Sequence, residues 1–248
     1  MPSMLAAWPG ISNVAIIVAT YLARKLEPKE LARVRPHYFF DPVGVMVRNN
    51  MVEEPQFPQS VFYYYKNPHG EDLIIFLGEA QPNSKSYDLA NVIVDAAEHF
   101  HVQRLYTCAA AVTRIHHTEQ PRVWGVGTTT EVFKDLAANH TLPGGNLQIA
   151  GMNGLLLGVA KERGLESACL LGEVPGYATH IHNPMAALAV VRTLCEMLKL
   201  KVNLDELTAI AKEGREHMKQ IATEAMEEYI DYFTEPIWES DEDEPEEE

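Results

Sequence analysis

Two spacings of apolar residues alternate along the chain. The unbroken run "SMLAA" at residues 3–7 predicts a buried strand, stopped by Pro9-Gly10. "VAIIVATYL" at 14–22 predicts a buried helix to about Lys25, capped by Ser12 or Asn13. "VGVMVRN" and "SVFYYYK" are rich in β-branched and aromatic residues and predict strands. Asn67-Pro68-His69-Gly70 then gives a turn, and "EDLIIFLG" returns as the second arm of a hairpin. Within 86–100, Leu89, Val92, Ile93, Ala96, Ala97 and Phe100 fall at helical spacing. "VQRLYTCAAAVT" is apolar without alternation, the mark of a strand covered on both faces.

The alternation continues in the second half. "PRVWGVG" predicts a strand, residues 128–138 a helix with hydroxyl caps, "NLQIAG" a short strand, and 152–163 a helix closed by Gly164. "LESACLLG" is a further buried strand, and Asn183-Pro184 opens a helix through Leu200 with proline in its first turn. Residues 205 to about 233 form a long charged helical stretch, with Gly214 as a point where it can break. Strands alternating with helices predict an α/β fold, with a mostly parallel sheet and helices on both faces. The expected organisation is an α/β domain over 1–203, a helical C-terminal segment over 204–236 and a disordered acidic tail over 237–248.

Charge sharpens the last of these. Of the formal charge of −15, the final ten residues "ESDEDEPEEE" supply −8, leaving −7 elsewhere. Eight acids in ten residues repel one another and offer nothing apolar to bury. An acidic body has no electrostatic reason to bind nucleic acid or an anionic membrane, so neither is expected as a partner. Cys108, Cys169 and Cys195 form no CxxC pair, and two lie in apolar runs, which suits a reducing cytoplasm. The apolar run at 14–22 is shorter than the roughly 20 residues that cross a bilayer, and no positive residue precedes it as in a signal peptide.

In an open α/β sheet, ligands sit outside the carboxyl ends of the strands. Four loops leave such ends: "WPGISN", "GEAQPNS", "TRIHH" and "GEVPGYATH". If the strands are neighbours, Trp8, Asn13, Glu79, Gln81, Glu173 and Tyr177 share a binding rim. Glu79, Glu173 and Arg114 are then the candidate catalytic groups, because paired carboxylates push one pKa up for acid–base work. Each Glu can equally accept backbone N–H groups in its own loop or cap a helix.

Histidines pair at 99/101, 116/117 and 180/182, of which only 180 and 182 sit in a loop-like segment. No carboxylate or thiolate completes a metal set there, so neither metal nor cofactor is expected. "WGVGTTTE" lacks the Lys of a phosphate loop and the third Gly of a dinucleotide turn, and "GMNGLLLG" reads as close packing.

"MLAAWPGISNVA", "YFFDP", "LIIFLGEAQPN", "LYTCAAAVTR", "VWGVGTTTE", "GMNGLLLGVAKERGLESACLLGEVPGY" and "NPMAALAVVRTLCEML" occur in unbroken order from Met4 to Leu200. Together they resemble the proteasome assembly chaperone family, named for the second eukaryotic assembly chaperone and its prokaryotic relatives. The resemblance implies a three-layer α/β/α fold like that of nucleoside phosphorylases and related hydrolases. It also implies homo-oligomers, trimers or larger rings, and a chaperone-like role in protein assembly. Some relatives carry an ATP-grasp label, which no phosphate or metal motif in this chain supports. Assembly factors that dock on proteasome rings often end in a hydrophobic residue, Tyr and any residue. This chain ends "EPEEE", and its nearest triplet, Asp231-Tyr232-Phe233, is internal and lacks the hydrophobic residue.

The leading expectation is therefore a cytoplasmic, non-enzymatic, self-associating protein that presents a surface to protein clients or paralogues. Phe62, Tyr63, Tyr64 and Tyr65 are its expected interface, since one strand there carries large aromatics on both faces. The second expectation is a small-molecule enzyme of phosphorylase, hydrolase or ATP-grasp-like type, acting at the rim near Glu79 and Glu173.

Overall fold

A computed structural model describes residues 1–42 and 44–234, with side chains to residue 223. In chain order the elements are β1 (Ser3–Ala7), α1 (Val14–Leu26), β2 (Lys29–Arg33), β3 (Val47–Arg48), β4 (Met51–Val52), β5 (Ser60–Tyr65) and β6 (Leu73–Gly78). There follow α2 (Ser86–His99), β7 (Arg104–Thr113), β8 (Val123–Gly127), α3 (Thr130–Ala138), β9 (Leu142–Pro143) and α4 (Gly151–Glu162). The last elements are β10 (Ser167–Pro175), α5 (Pro184–Met197) and α6 (Asp205–Thr234). The acidic tail expected over 237–248 lies outside the described residues.

Eight strands form one sheet in the order β2-β5-β6-β1-β7-β10-β8-β9. Its centre, β6-β1-β7-β10, is parallel throughout, and antiparallel strands flank it on both sides. Alternate side chains of the central strands enter two cores. Leu5, Ala7, Leu73, Ile75 and Leu170 meet α1 and α5, while Met4, Ala6, Ile74 and Phe76 meet α2 and α4. This is a three-layer α/β/α protein whose parallel strands are sealed on both faces, β7 only over its first half. No described helix is long and apolar enough to cross a membrane.

The C-terminal helix begins as part of this body. Leu207, Ala211 and Met218 of α6 are buried in the α1/α5 core, and Glu206 bridges Arg24 and Lys25 of α1 at 2.7 Å each. Gly214 is no break, because α6 runs through it; a methyl there would meet Pro184 Cγ at 2.7 Å, so glycine lets α5 and α6 approach.

Several predicted elements differ. "VGVMVRN" does not join the sheet: Asn49 and Asn50 are both left-handed (φ 51° and 62°), and fold β3 back on β4 as a separate two-stranded hairpin. "NLQIAG" is no strand either. The chain leaves the sheet edge at Pro143, and Gly145 (φ +62°) turns it away, so only β9 pairs with β8. β2, a polar strand with no apolar alternation, covers the edge of β5 and was not predicted. β7 is buried on both faces only at its start, since beyond Cys108 it overhangs the helical layers and Val112 is 49% exposed.

Candidate functional site at the carboxyl rim

Because β6, β1, β7 and β10 are parallel neighbours, the four loops that follow them lie along one edge. They are tied to one another by polar bonds. Gln81, after β6, donates from Nε2 to the Pro9 carbonyl at 2.6 Å and accepts the Met152 N–H at 2.9 Å, joining three loops. The Asn153 side chain, buried in the first turn of α4, accepts the Trp8 N–H at 3.2 Å and donates to the Trp8 carbonyl at 3.4 Å.

The loop after β1 is bound to the loop after β10 in the same way. Ser12 donates its N–H to the Thr179 carbonyl at 3.0 Å and its hydroxyl to the Ala178 carbonyl at 3.1 Å, while its own carbonyl accepts the Asn183 N–H at 3.0 Å. Asn13 Nδ2 lies 2.7 Å from His182 Nε2. Both Ser12 (φ 51°) and Asn13 (φ 52°) are left-handed, a conformation costly for residues with a Cβ and held here by these cross-loop bonds. Neither side chain caps α1, as the sequence had led us to expect; both reach across to the neighbouring loop instead.

The predicted rim residues occupy different environments. Trp8 is fully buried against Phe76, with ring centroids 5.0 Å apart, and is no part of an accessible surface. Glu173 lies within β10, also fully buried, and its carboxylate is saturated. It accepts the Arg122 N–H at 2.9 Å, the Arg122 guanidinium through Nε and Nη2 at 3.0 and 2.9 Å, and the Trp124 indole N–H at 3.1 Å. Burial alone would raise its pKa; the Arg122 and Trp124 donors outweigh it and hold the carboxyl below the ordinary Glu value. Arg114 is exposed on the wall of an open cleft of about 650 Å³ beside this pair.

Glu79 is elsewhere. It is exposed at the end of β6, where Oε2 accepts the Gln59 N–H at 2.7 Å and so fastens the start of β5. Three strand steps separate β6 from β10, roughly 14 Å at the usual spacing. The two carboxylates therefore do not meet, and each carries the backbone-binding role that a loop carboxylate can take.

Tyr177 is 49% exposed, yet its hydroxyl accepts the His117 N–H at 3.1 Å and lies 2.9 Å from His117 Nδ1. Among the described residues no group of three or more His, Cys, Asp or Glu side chains converges as a metal site. The glycines of "WGVGTTTE" are packing glycines, since a methyl on Gly125 would meet Thr141 Oγ1 at 2.5 Å and one on Gly127 Val132 Cγ1 at 2.9 Å.

Of the expected aromatic interface, Phe62 is core, its ring tilted against that of Phe76 at 4.7 Å between centroids. Tyr63, Tyr64 and Tyr65 are half-buried in a strand whose outer edge β2 already covers, and Tyr64 donates to Asp72 at 2.6 Å.

Arg122, Asn153 and the His117–Tyr177 bond escaped the sequence reading. A buried Glu in a strand calls for a nearby cation, but strand adjacency, which makes Arg122 the partner, is not written in the sequence.

A cluster of exposed apolar side chains lies on the excursion between β2 and β5, which leaves and rejoins the sheet at the rim end, where Gln59 meets Glu79. In and beside the β3–β4 hairpin, Met46, Val47, Met51 and Val52 are 56%, 63%, 71% and 70% exposed. The base of this arm is anchored: Phe39 and Phe40 of "YFFDP" are buried in the α2/α4 core, and Phe57 packs beside them and edge-on to His37 at 4.5 Å.

Comparison with known proteins places this architecture. The sequence profile of the PAC2 family matches residues 4–222. An uncharacterized protein of Methanocaldococcus jannaschii is 28% identical over 224 residues, 88% of this chain and 82% of that one. The crystal structure of Pyrococcus furiosus PbaB, an archaeal proteasome activator, superposes with a TM-score of 0.75 at 26% identity, covering 89% of this chain and 93% of that one. Pyrococcus furiosus PbaA, an archaeal homolog of proteasome-assembly chaperone, gives 0.69 at 25% identity over 92% and 94%. The chain belongs to the PAC2 family.

Proposed function

We propose that this protein is a non-enzymatic, self-associating, chaperone-like factor that offers a preformed surface to protein clients. The observation that carries the proposal is the β3–β4 arm, a two-stranded hairpin anchored by three phenylalanines and exposing Met46, Val47, Met51 and Val52. Two strands of two residues gain little order from their own hydrogen bonds, and an exposed apolar cluster of this kind marks a contact for another chain. The similarity to PbaA and PbaB makes a proteasome subunit the first client to test. Self-association follows the family resemblance, with a closed trimer or larger ring as the expected symmetry.

The polar groups of the rim support a binding rather than a catalytic reading. Gln81, Asn153, Ser12 and Glu173 are occupied by neighbouring loops and strands, which stiffens that edge as a platform.

The test is light scattering of the full chain alone and mixed with purified proteasome subunits of its own host. An oligomer that forms a complex with them, and a Val47→Glu/Met51→Glu chain that folds but forms none, is the expected result. A monomer that binds no subunit sinks the proposal.

A further inference from the structure

A groove of about 700 Å³ lies between α5, the first turns of α6 and the β8 edge. Its floor is mostly apolar, with Pro121, Val123, Leu142, Leu188 and Ala189 among its lining residues. Four cations line it in so acidic a chain, Arg122, Arg192, Lys212 and Arg215, against one acid, Glu196. Arg122 is paired with Glu173, but among the described residues Arg192, Lys212 and Arg215 enter no ion pair. The Arg215 guanidinium is held over the groove by its Nε, which lies 3.3 Å from Met185 Sδ.

One segment of this chain has the complementary chemistry. Residues 235–248, "EPIWESDEDEPEEE", place the apolar pair Ile237-Trp238 directly before a run of acids, nine acids in all and no base. A large aromatic anchor seated on an apolar floor, beside carboxylates that meet cations on the walls, is the usual anatomy of a specific contact.

Reach decides which copy supplies it. Arg215 and Thr234 are 19 residues apart on the continuous α6, about 29 Å along its axis. Trp238 follows Thr234 by four residues, which span at most about 14 Å even when fully extended. Trp238 therefore cannot return to the groove of its own chain.

We propose that the C-terminal segment of one copy, Trp238 with the acids after it, docks into the α5–α6 groove of a second copy. This rests on the self-association proposed above and gives it a site: the groove at one end of α6 receives the segment that follows the other end. Such a contact is head-to-tail, and closes as a ring or as an exchange between two copies.

Sedimentation equilibrium of the full chain tests it, with Arg192→Glu/Lys212→Glu in the groove, Asp241→Lys/Asp243→Lys in the segment, and Trp238→Ala. Arg192 and Lys212 are exposed, and each variant is compared only after its circular-dichroism spectrum matches that of the wild type. Each set is expected to weaken self-association about ten-fold or more, and the two charge reversals combined in one chain to restore much of the loss. The synthetic peptide 235–248 is expected to dissociate the wild-type assembly. Self-association that is indifferent to all of these variants and to the peptide overturns the docking and leaves the assembly reading standing. A full chain that stays monomeric at high micromolar concentration overturns both.

Discussion

Asn153 holds the Trp8 peptide from both sides, its Oδ1 3.2 Å from the Trp8 nitrogen and its Nδ2 3.4 Å from the Trp8 oxygen. One buried side chain on α4 thus completes the hydrogen bonding of β1 at the point where the sheet stops. The backbone there has no strand partner of its own, and a buried N–H or C=O left without one is costly.

Replacing Asn153 by Ala removes both bonds and leaves two buried backbone groups unpaired. The expected loss is about 1–3 kcal/mol of stability, read as a lower urea midpoint with unchanged slope. Asn153→Asp keeps the acceptor but buries a charge beside the Trp8 carbonyl, and should cost at least as much. If Asn153→Ala unfolds at the wild-type midpoint, this bond pair has no structural weight.

Two glycines should respond oppositely to alanine. The pairing of Ala7 with Leu77 sets Trp8 beside Gly78, where a methyl would collide with the Nε1–Cδ1 edge of the indole. Trp8 is fully buried and cannot swing away, so Gly78→Ala is expected to destabilise by about 1–3 kcal/mol. Gly158, exposed in the middle of α4, has nothing within 4 Å of the position a methyl would take. Gly158→Ala should stabilise by about 0.5–1 kcal/mol through the unfolded chain's lost freedom. Paired thermal melts would show shifts of opposite sign.

These residues also mark what the sequence makes legible. Runs such as "LIIFLG" and "SACLLG" announce strands covered on both faces, because only a parallel sheet between helix layers buries every side chain. The order of the strands is another matter. It decides that Glu173 meets Arg122 rather than Glu79, and it arises from pairings between segments up to a hundred residues apart. β2 was invisible for a different reason: "KELAR" has the charged pattern of a sheet edge, which reads as a loop. The hairpin was seen as a strand, yet its two adjacent asparagines turn it back on itself before it can reach the sheet.

The Glu173–Arg122 pair predicts a pH dependence. Glu173 is held ionised, its folded pKa below the ordinary value of 4.5, so the unfolded chain takes up the proton first as pH falls. Its stabilisation is complete above that value and is lost as pH falls through the folded pKa. Glu173→Gln keeps the shape but not the charge, and leaves the guanidinium without its partner. The expected gap is about 1–3 kcal/mol at neutral pH, since hydrogen bonds to charged groups are the stronger kind. That gap should narrow as pH falls below 4.5 and close as it passes through the folded pKa. A gap that persists unchanged into acid would mean that packing, not charge, makes the difference.

The His117–Tyr177 bond ties the loop after β7 to the loop after β10, and the burial of His117 sets the sign of its pH dependence. The Tyr177 hydroxyl accepts the His117 backbone N–H, and its own hydrogen is free to be donated to His117 Nδ1 when that nitrogen is unprotonated. Burial pushes the His117 pKa down from 6.5; His116, Lys219 and Arg215 push the same way, and Glu216 opposes them. A base with a depressed folded pKa contributes stability that is present above 6.5 and lost as pH falls toward the folded value. Tyr177→Phe should cost about 0.5–1.5 kcal/mol at neutral pH, the net value of a hydrogen bond. His117→Gln should flatten the stability profile between about pH 7.5 and 5.5 relative to wild type, the range in which histidine titrates. Urea midpoints across that range isolate His117 from the other nine histidines, because those are common to both chains. Parallel profiles for wild type and His117→Gln would show that this imidazole is no more reluctant to take a proton in the folded protein than in the unfolded one.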